Sequence, residues 1–142
     1  MKAFTLFEIL IVLGILAILA SLTLPMGLEF YRSQQLEASS QGIVQALRKV
    51  QFQAISQERD SSFGVYLAGH NYILFQGNSY ASRDSGYDEV SDIPQILNVS
   101  GLAEAVFSKL EGIPNATGDI ILASGGNTVK ININAVGRIN LE

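Results

Sequence analysis

A chain of 142 residues with 9 basic and 13 acidic side chains, a net charge of −4 and no cysteine has room for one domain. Lacking cysteine, it can hold neither a disulfide framework nor a thiolate metal site. No cluster of Lys or Arg interleaves with aromatics as a nucleic-acid groove requires, so nucleic acid is not an expected partner.

The apolar residues are unevenly spread. From Phe4 to Leu24 the only charge is Glu8. A helix over that stretch reaches roughly 32 Å at about 1.5 Å per residue, enough for the ~30 Å hydrocarbon core of a bilayer. Met1-Lys2 followed by an apolar run is also how a secretory signal begins. This run, however, exceeds the ~7–15 residues of a signal core and carries Glu8 near its start, so an uncleaved anchor fits better. An ionised carboxylate in hydrocarbon costs about 2.5–3.5 kcal/mol on insertion scales, so Glu8 needs a partner or must reach the interface.

Beyond Pro25, Leu36, Ile43, Leu47, Val50 and Ala54 recur at intervals of seven, four, three and four, which puts them on one helical face. Gln41, Gln45, Arg48, Lys49 and Gln53 fill much of the rest. One long helix from about Thr5 to about Gln57 is expected. Pro25 lacks an amide hydrogen and its ring opposes the carbonyl of Ser21, so a bend is expected there.

From Phe63 the period becomes that of strands. Phe63–Leu67 and Tyr72–Phe75 flank a turn at Ala68-Gly69-His70-Asn71 and read as a hairpin. The polar stretch 77–92 reads as a loop. Further strands are expected at Gln95–Val99, Ala105–Ser108, Asp119–Ala123, Val129–Asn134 and Arg138–Leu141. A helix followed by many short strands predicts an α+β fold: a long N-terminal helix, its first half transmembrane and its second half amphipathic, packed on an antiparallel β-sheet domain. The expected division is 1–3 leader, 4–24 apolar half of the helix, 25–59 amphipathic half and 60–142 β-rich domain.

Asp84, Asp88, Glu89 and Asp92 are the weak candidates for a metal, but their spacing does not match an EF-hand and a solvated loop is the preferred reading. His70, the single histidine, lies in a turn without a nucleophile or second ligand near it in sequence. Phe75 and Phe107 read as core, as do Tyr66 and Tyr72 less strongly. No cofactor and no enzymatic activity are expected.

The run Lys2-Ala3-Phe4-Thr5-Leu6-Phe7-Glu8, leading into Ile9–Leu24 and ending at Pro25, resembles the class III signal of type IV prepilins and pseudopilins. The resemblance implies cleavage between Ala3 and Phe4 by a prepilin peptidase, N-methylation of Phe4, and a Glu8 that neutralises the Phe4 amine of an adjacent subunit. Ala3 stands where Gly is usual, and Ala17 where a glycine is common. A second resemblance, to the GspH/FimT group of minor pseudopilins, rests on the amphipathic helix ending near Ala54–Arg59, on Phe107–Gly112 and on Gly137-Arg138-Ile139.

The resemblance implies a structural subunit, pilin or minor pseudopilin, of a type IV pilus-like or type II secretion filament. Such a subunit waits as a single-pass protein in the bacterial inner membrane and then joins an extracytoplasmic filament. Its partners would be identical or related pilin subunits, the peptidase, an inner-membrane assembly platform and lipid. The alternative is a monomeric membrane-anchored binding domain that presents the 77–92 segment and does not polymerise.

Overall fold

A computed structural model describes residues 4–142, the side chains of 22–26 excepted. Its helix α1 runs from Leu6 to Ile55, 50 residues or roughly 75 Å at 1.5 Å per residue. Thr5 caps its start: the residue is extended and its hydroxyl accepts the Glu8 N–H at 3.3 Å, with the acid of Glu8 in the first turn where the helix dipole favours it. Met1-Lys2-Ala3, the expected leader, and the Pro25 ring, where a bend is expected, lie outside the described residues.

The other end of α1 is a tight unwinding. Gln57, Arg59 and Asp60 take φ of 53°, 50° and 56°, left-handed conformations that cost a non-glycine residue about 1–2 kcal/mol each. Three contacts offset that cost. The Arg59 guanidinium lies 3.8 Å over the Tyr87 ring, Asp60 pairs with Lys109, and the Leu110 N–H donates to the carbonyl of Ala54 at 3.1 Å.

Two four-stranded antiparallel sheets follow, where the sequence predicts a single one. The first has the order β3 (Asp84–Asp92), β2 (Asn71–Gln76), β1 (Phe63–Ala68), β5 (Glu104–Phe107). The second has the order β4 (Asn98–Gly101), β6 (Gly118–Ser124), β7 (Asn127–Ile133), β8 (Ile139–Leu141). The chain steps between them at Leu102-Ala103: the Leu102 N–H donates to Asp119 of β6 at 2.9 Å, while the Ala103 carbonyl accepts from Leu67 of β1 at 2.8 Å. Gly101 makes the step possible. Its φ is +93°, and a Cβ there would run into the Asp119 carbonyl.

Leu36, Ile43, Leu47, Val50 and Ala54 of α1 share one buried cluster with Val65, Leu74 and Phe107 of the first sheet and Ile120, Leu122, Ile131, Ile133 and Ile139 of the second. Gln51, on the flank of that face, donates to the carbonyls of Gly112 and Gly137 at 3.1 and 2.8 Å and ties two loops to the helix. At the other edge of the domain, the Gly125 turn between β6 and β7 rests on the Arg32 side chain, 3.1 Å from a Cβ position, beside Glu29.

The alternation that sends Val65, Leu74 and Phe107 toward α1 sends Tyr66, Ile73, Phe75 and Val106 to the opposite face. The first part of the stretch 77–92, all of it expected to be a loop, covers part of that face instead. A 3-10 turn at Tyr80–Ser82, started by Ser79, sets the Tyr80 ring flat on Tyr66, with centroids 3.9 Å apart and planes at 9°, and edge-on to Phe75 at 5.7 Å. The Tyr80 N–H donates to Glu104 at 3.0 Å. The remainder forms β3, whose pairing with β2 shifts between Leu74 and Gln76, so that residues 85–88 bulge outward. A second correction is smaller: Leu97 N–H closes a turn onto Pro94 at 3.0 Å, so β4 begins at Asn98 and not at Gln95.

The outer edge of β5 is occupied without a strand. Asn115 exchanges two hydrogen bonds with Val106, its Oδ1 accepting at 2.9 Å and its N–H donating to the Val106 carbonyl at 2.8 Å, and Pro114 bridges to Phe107.

Candidate assembly surface

The two halves of α1 have opposite surroundings. The second is buried on one face. The first is exposed on all of them: Phe4 is 75% exposed, Leu6 82% and Phe7 70%. Ile9, Leu10, Ile11, Val12, Leu13, Ile15 and Leu16 follow in the same state as far as Leu19, on every side of the helix. A helix that is apolar all round belongs inside protein or lipid, since each large side chain transferred out of water contributes about 1.5–3 kcal/mol. Among the described residues no helix is long and apolar enough to cross a membrane; the described side chains of the stretch expected at 4–24 stop at Ser21.

Glu8 sits on this rod. With Phe4, Ile9, Val12 and Leu13 it lines a shallow groove of about 270 Å³, and among the described residues no cation lies within ion-pair distance of its carboxylate. Ala3, the other side of the expected cleavage point, is outside the described residues.

The acidic candidates are distributed by strand geometry. Asp88, in the bulge, and Glu89, opposite Leu74, face opposite sides of the first sheet, as their partners show. Asp88 takes the Arg83 Nε at 2.8 Å, and its hydrogen bond and charge raise the Arg83 pKa against the lowering effect of burial, so the guanidinium stays charged. That guanidinium also lies 3.7 Å over Tyr80, completing a stack of Arg83, Tyr80 and Tyr66. Glu89 takes Lys49 of α1 at 2.6 Å on the other side. Asp84 accepts the Gly86 N–H at 3.0 Å, and Asp92 is exposed at the far end of the strand. Among the described residues no group of three or more His, Asp or Glu is gathered as for a metal ion.

His70 is exposed in the β1–β2 turn, where its carbonyl accepts the Ile93 N–H at 2.7 Å. Phe75 and Phe107 are fully buried, and Tyr66 and Tyr72 are half-buried.

Two features escape the sequence reading. Tyr80 and Arg83 sit in a Ser/Gly/Asp-rich run that resembles any solvated loop, and nothing local marks them as a cover. Phe52 does carry a signal: it stands among Gln45, Arg48, Lys49 and Gln53, out of phase with the buried stripe, and is 70% exposed. No family model, no curated protein and no solved structure matches this chain.

Proposed function

We propose that the chain is a structural subunit of a type IV pilus-like or type II secretion filament, held in the bacterial inner membrane through the first half of α1 until it assembles. The observation that carries this reading is the rod itself. About four helical turns up to Leu19 bury nothing in the monomer, while from Leu36 onward the helix is anchored in the domain. Such a helix exchanges lipid for neighbouring helices with its apolar surface covered in both settings.

The resemblance of Phe4-Thr5-Leu6-Phe7-Glu8 to the prepilin signal supports the same reading and implies its chemistry. Cleavage after Ala3 frees the Phe4 amine, which is then methylated, and Glu8 neutralises that amine on an adjacent subunit. The alternative is a monomeric anchored binding domain that presents the 77–92 segment; that segment joins the first sheet through β3 and leaves most of β3 exposed.

The test compares Glu8→Leu with Glu8→Asp in the full chain, by membrane fractionation and by the amount of subunit in sheared filaments. Leu keeps the segment apolar, so insertion persists while incorporation drops sharply. Asp keeps the charge with a shorter reach and assembles in part. Parental incorporation of the Leu variant would remove Glu8 from the organisation of the filament.

A further inference from the structure

The back of α1, turned away from the domain, has its own pattern. Arg48, Phe52 and Ile55 are spaced by four and three residues, so they form a single stripe; Arg48 and Phe52 stand free, Phe52 70% exposed, while Ile55, 45% exposed, also packs at the flank of the stripe against Gly112 of the domain. Among the described residues Arg48 has no acidic partner, a state it shares with Arg138 and with Arg59, which lies over the Tyr87 ring instead. An arginine and a phenylalanine side by side on one helix face give a partner both an apolar and a charged contact.

The first half of the same helix carries the complementary pattern. Glu8, Val12 and Ile15 have the identical spacing of four and three, Val12 and Ile15 are half exposed, and Glu8 is an acid without a partner among the described residues. Glu8 and Arg48 are roughly 60 Å apart along α1 at about 1.5 Å per residue, so one copy cannot join its own pair. Two parallel copies displaced by that length can. Arg48 then meets Glu8, Phe52 meets Val12, and Ile55 meets Ile15. An antiparallel pairing would instead set Val12 against Val44, which is already buried in the domain.

Resting on the filament reading, we infer that the Arg48–Phe52–Ile55 stripe is the seat for the N-terminal helix of a second copy, parallel and shifted by about forty residues. The Phe52 ring enters the groove formed by Phe4, Glu8, Ile9, Val12 and Leu13 of that copy, and the Arg48 guanidinium bonds its Glu8. A carboxylate has two acceptor oxygens, so the same Glu8 takes the Phe4 amine and Arg48 together. The stripe thus sets a long-range axial register that the amine pairing, made within one turn of the terminus, does not define.

The chain has no cysteine, which makes the register directly measurable. Val12→Cys combined with Phe52→Cys in the full chain should give a ladder of cross-linked multimers when assembled filaments are oxidised or treated with a short thiol cross-linker. Val12→Cys combined with Gln41→Cys, three turns off on the same stripe, should give none. A ladder from both pairs, or from neither while filaments are intact, overturns the register and leaves the filament reading standing. Absence of filaments from the parental chain removes both.

Should the cysteine variants fail to assemble, Arg48 decides the matter. Arg48→Ala is expected to lower filament yield at least about thirtyfold, the effect of truncating one partner of a desolvated charge pair, with the circular dichroism of the domain unchanged and Arg48→Lys close to the parent. Parental yield from Arg48→Ala overturns the inference.

Discussion

Replacing Tyr80 by Ala tests whether the segment after β2 is part of the folded body of the domain. The ring makes a flat stack on Tyr66 and an edge contact with Phe75, each worth about 0.5–1.5 kcal/mol beyond the area they cover. Arg83 over its outer face adds about 0.5–1 kcal/mol. Burial of a half-covered ring contributes about another 1 kcal/mol. These contributions amount to about 3 kcal/mol. At roughly 4 °C per kcal/mol for a domain of this size, the midpoint of thermal unfolding falls by about 12 °C. The assay is a melt of the full chain in detergent, followed by near-ultraviolet circular dichroism; the chain has five tyrosines and no tryptophan, so the signal reports on the rings concerned. Tyr80→Phe keeps both ring contacts and should melt with the parent. If Tyr80→Ala also melts within about 2 °C of the parent, less than 1 kcal/mol on the same scale, the stack carries no stability and residues 77–83 behave as a free loop.

Two further outcomes are expected. A fragment beginning at Leu28 should be soluble, monomeric and cooperatively folded, with a mixed helix and sheet spectrum by circular dichroism; aggregation or a random-coil spectrum would place the domain boundary elsewhere. Gly101→Ala should lose at least about 2 kcal/mol in urea unfolding, because it adds a side chain at positive φ against a carbonyl, and a neutral result would mean that the step between the sheets relaxes freely.

Where periodicity and burial coincide, the fold was legible. Val129-Lys130-Ile131-Asn132-Ile133 alternates cleanly, and Ile131 and Ile133 are fully buried. The stripe from Leu36 to Ala54 likewise marks one buried face, and the expected helix, Thr5 to Gln57, misses the observed ends by one or two residues. The run 77–92 was not legible because its order comes from distant residues. Tyr66 and Glu104 hold Tyr80, and no local propensity in a run of Asn, Ser, Gly and Asp encodes those contacts. The division into two sheets was hidden for a related reason: it turns on Gly101, one glycine among 13, whose carbonyl neighbour belongs to β6. Of the candidate surface, Glu8 stood out at once as a lone charge in an apolar run. Arg48 did not, because a charged residue on the solvent side of an amphipathic helix is what any soluble helix shows. Only the exposure of Phe52 next to it sets that position apart.

The treatment of the sheet edges bears on how closely these molecules can be crowded. An open edge strand is a template for pairing with another chain, and a protein stored at high density in a membrane or stacked in a fibre meets its own copies constantly. Here β5 is sealed by Asn115, whose side chain and backbone imitate a neighbouring strand at Val106. β3 is kinked by its bulge, and β4 and β8 are only four and three residues long. In the proposed filament, contacts between copies would thereby be left to the helices, where register can be specified, and withheld from the sheets, where pairing would be promiscuous and hard to reverse. Asn115 thereby occupies the backbone groups of Val106 that an open β5 edge would offer to a second strand.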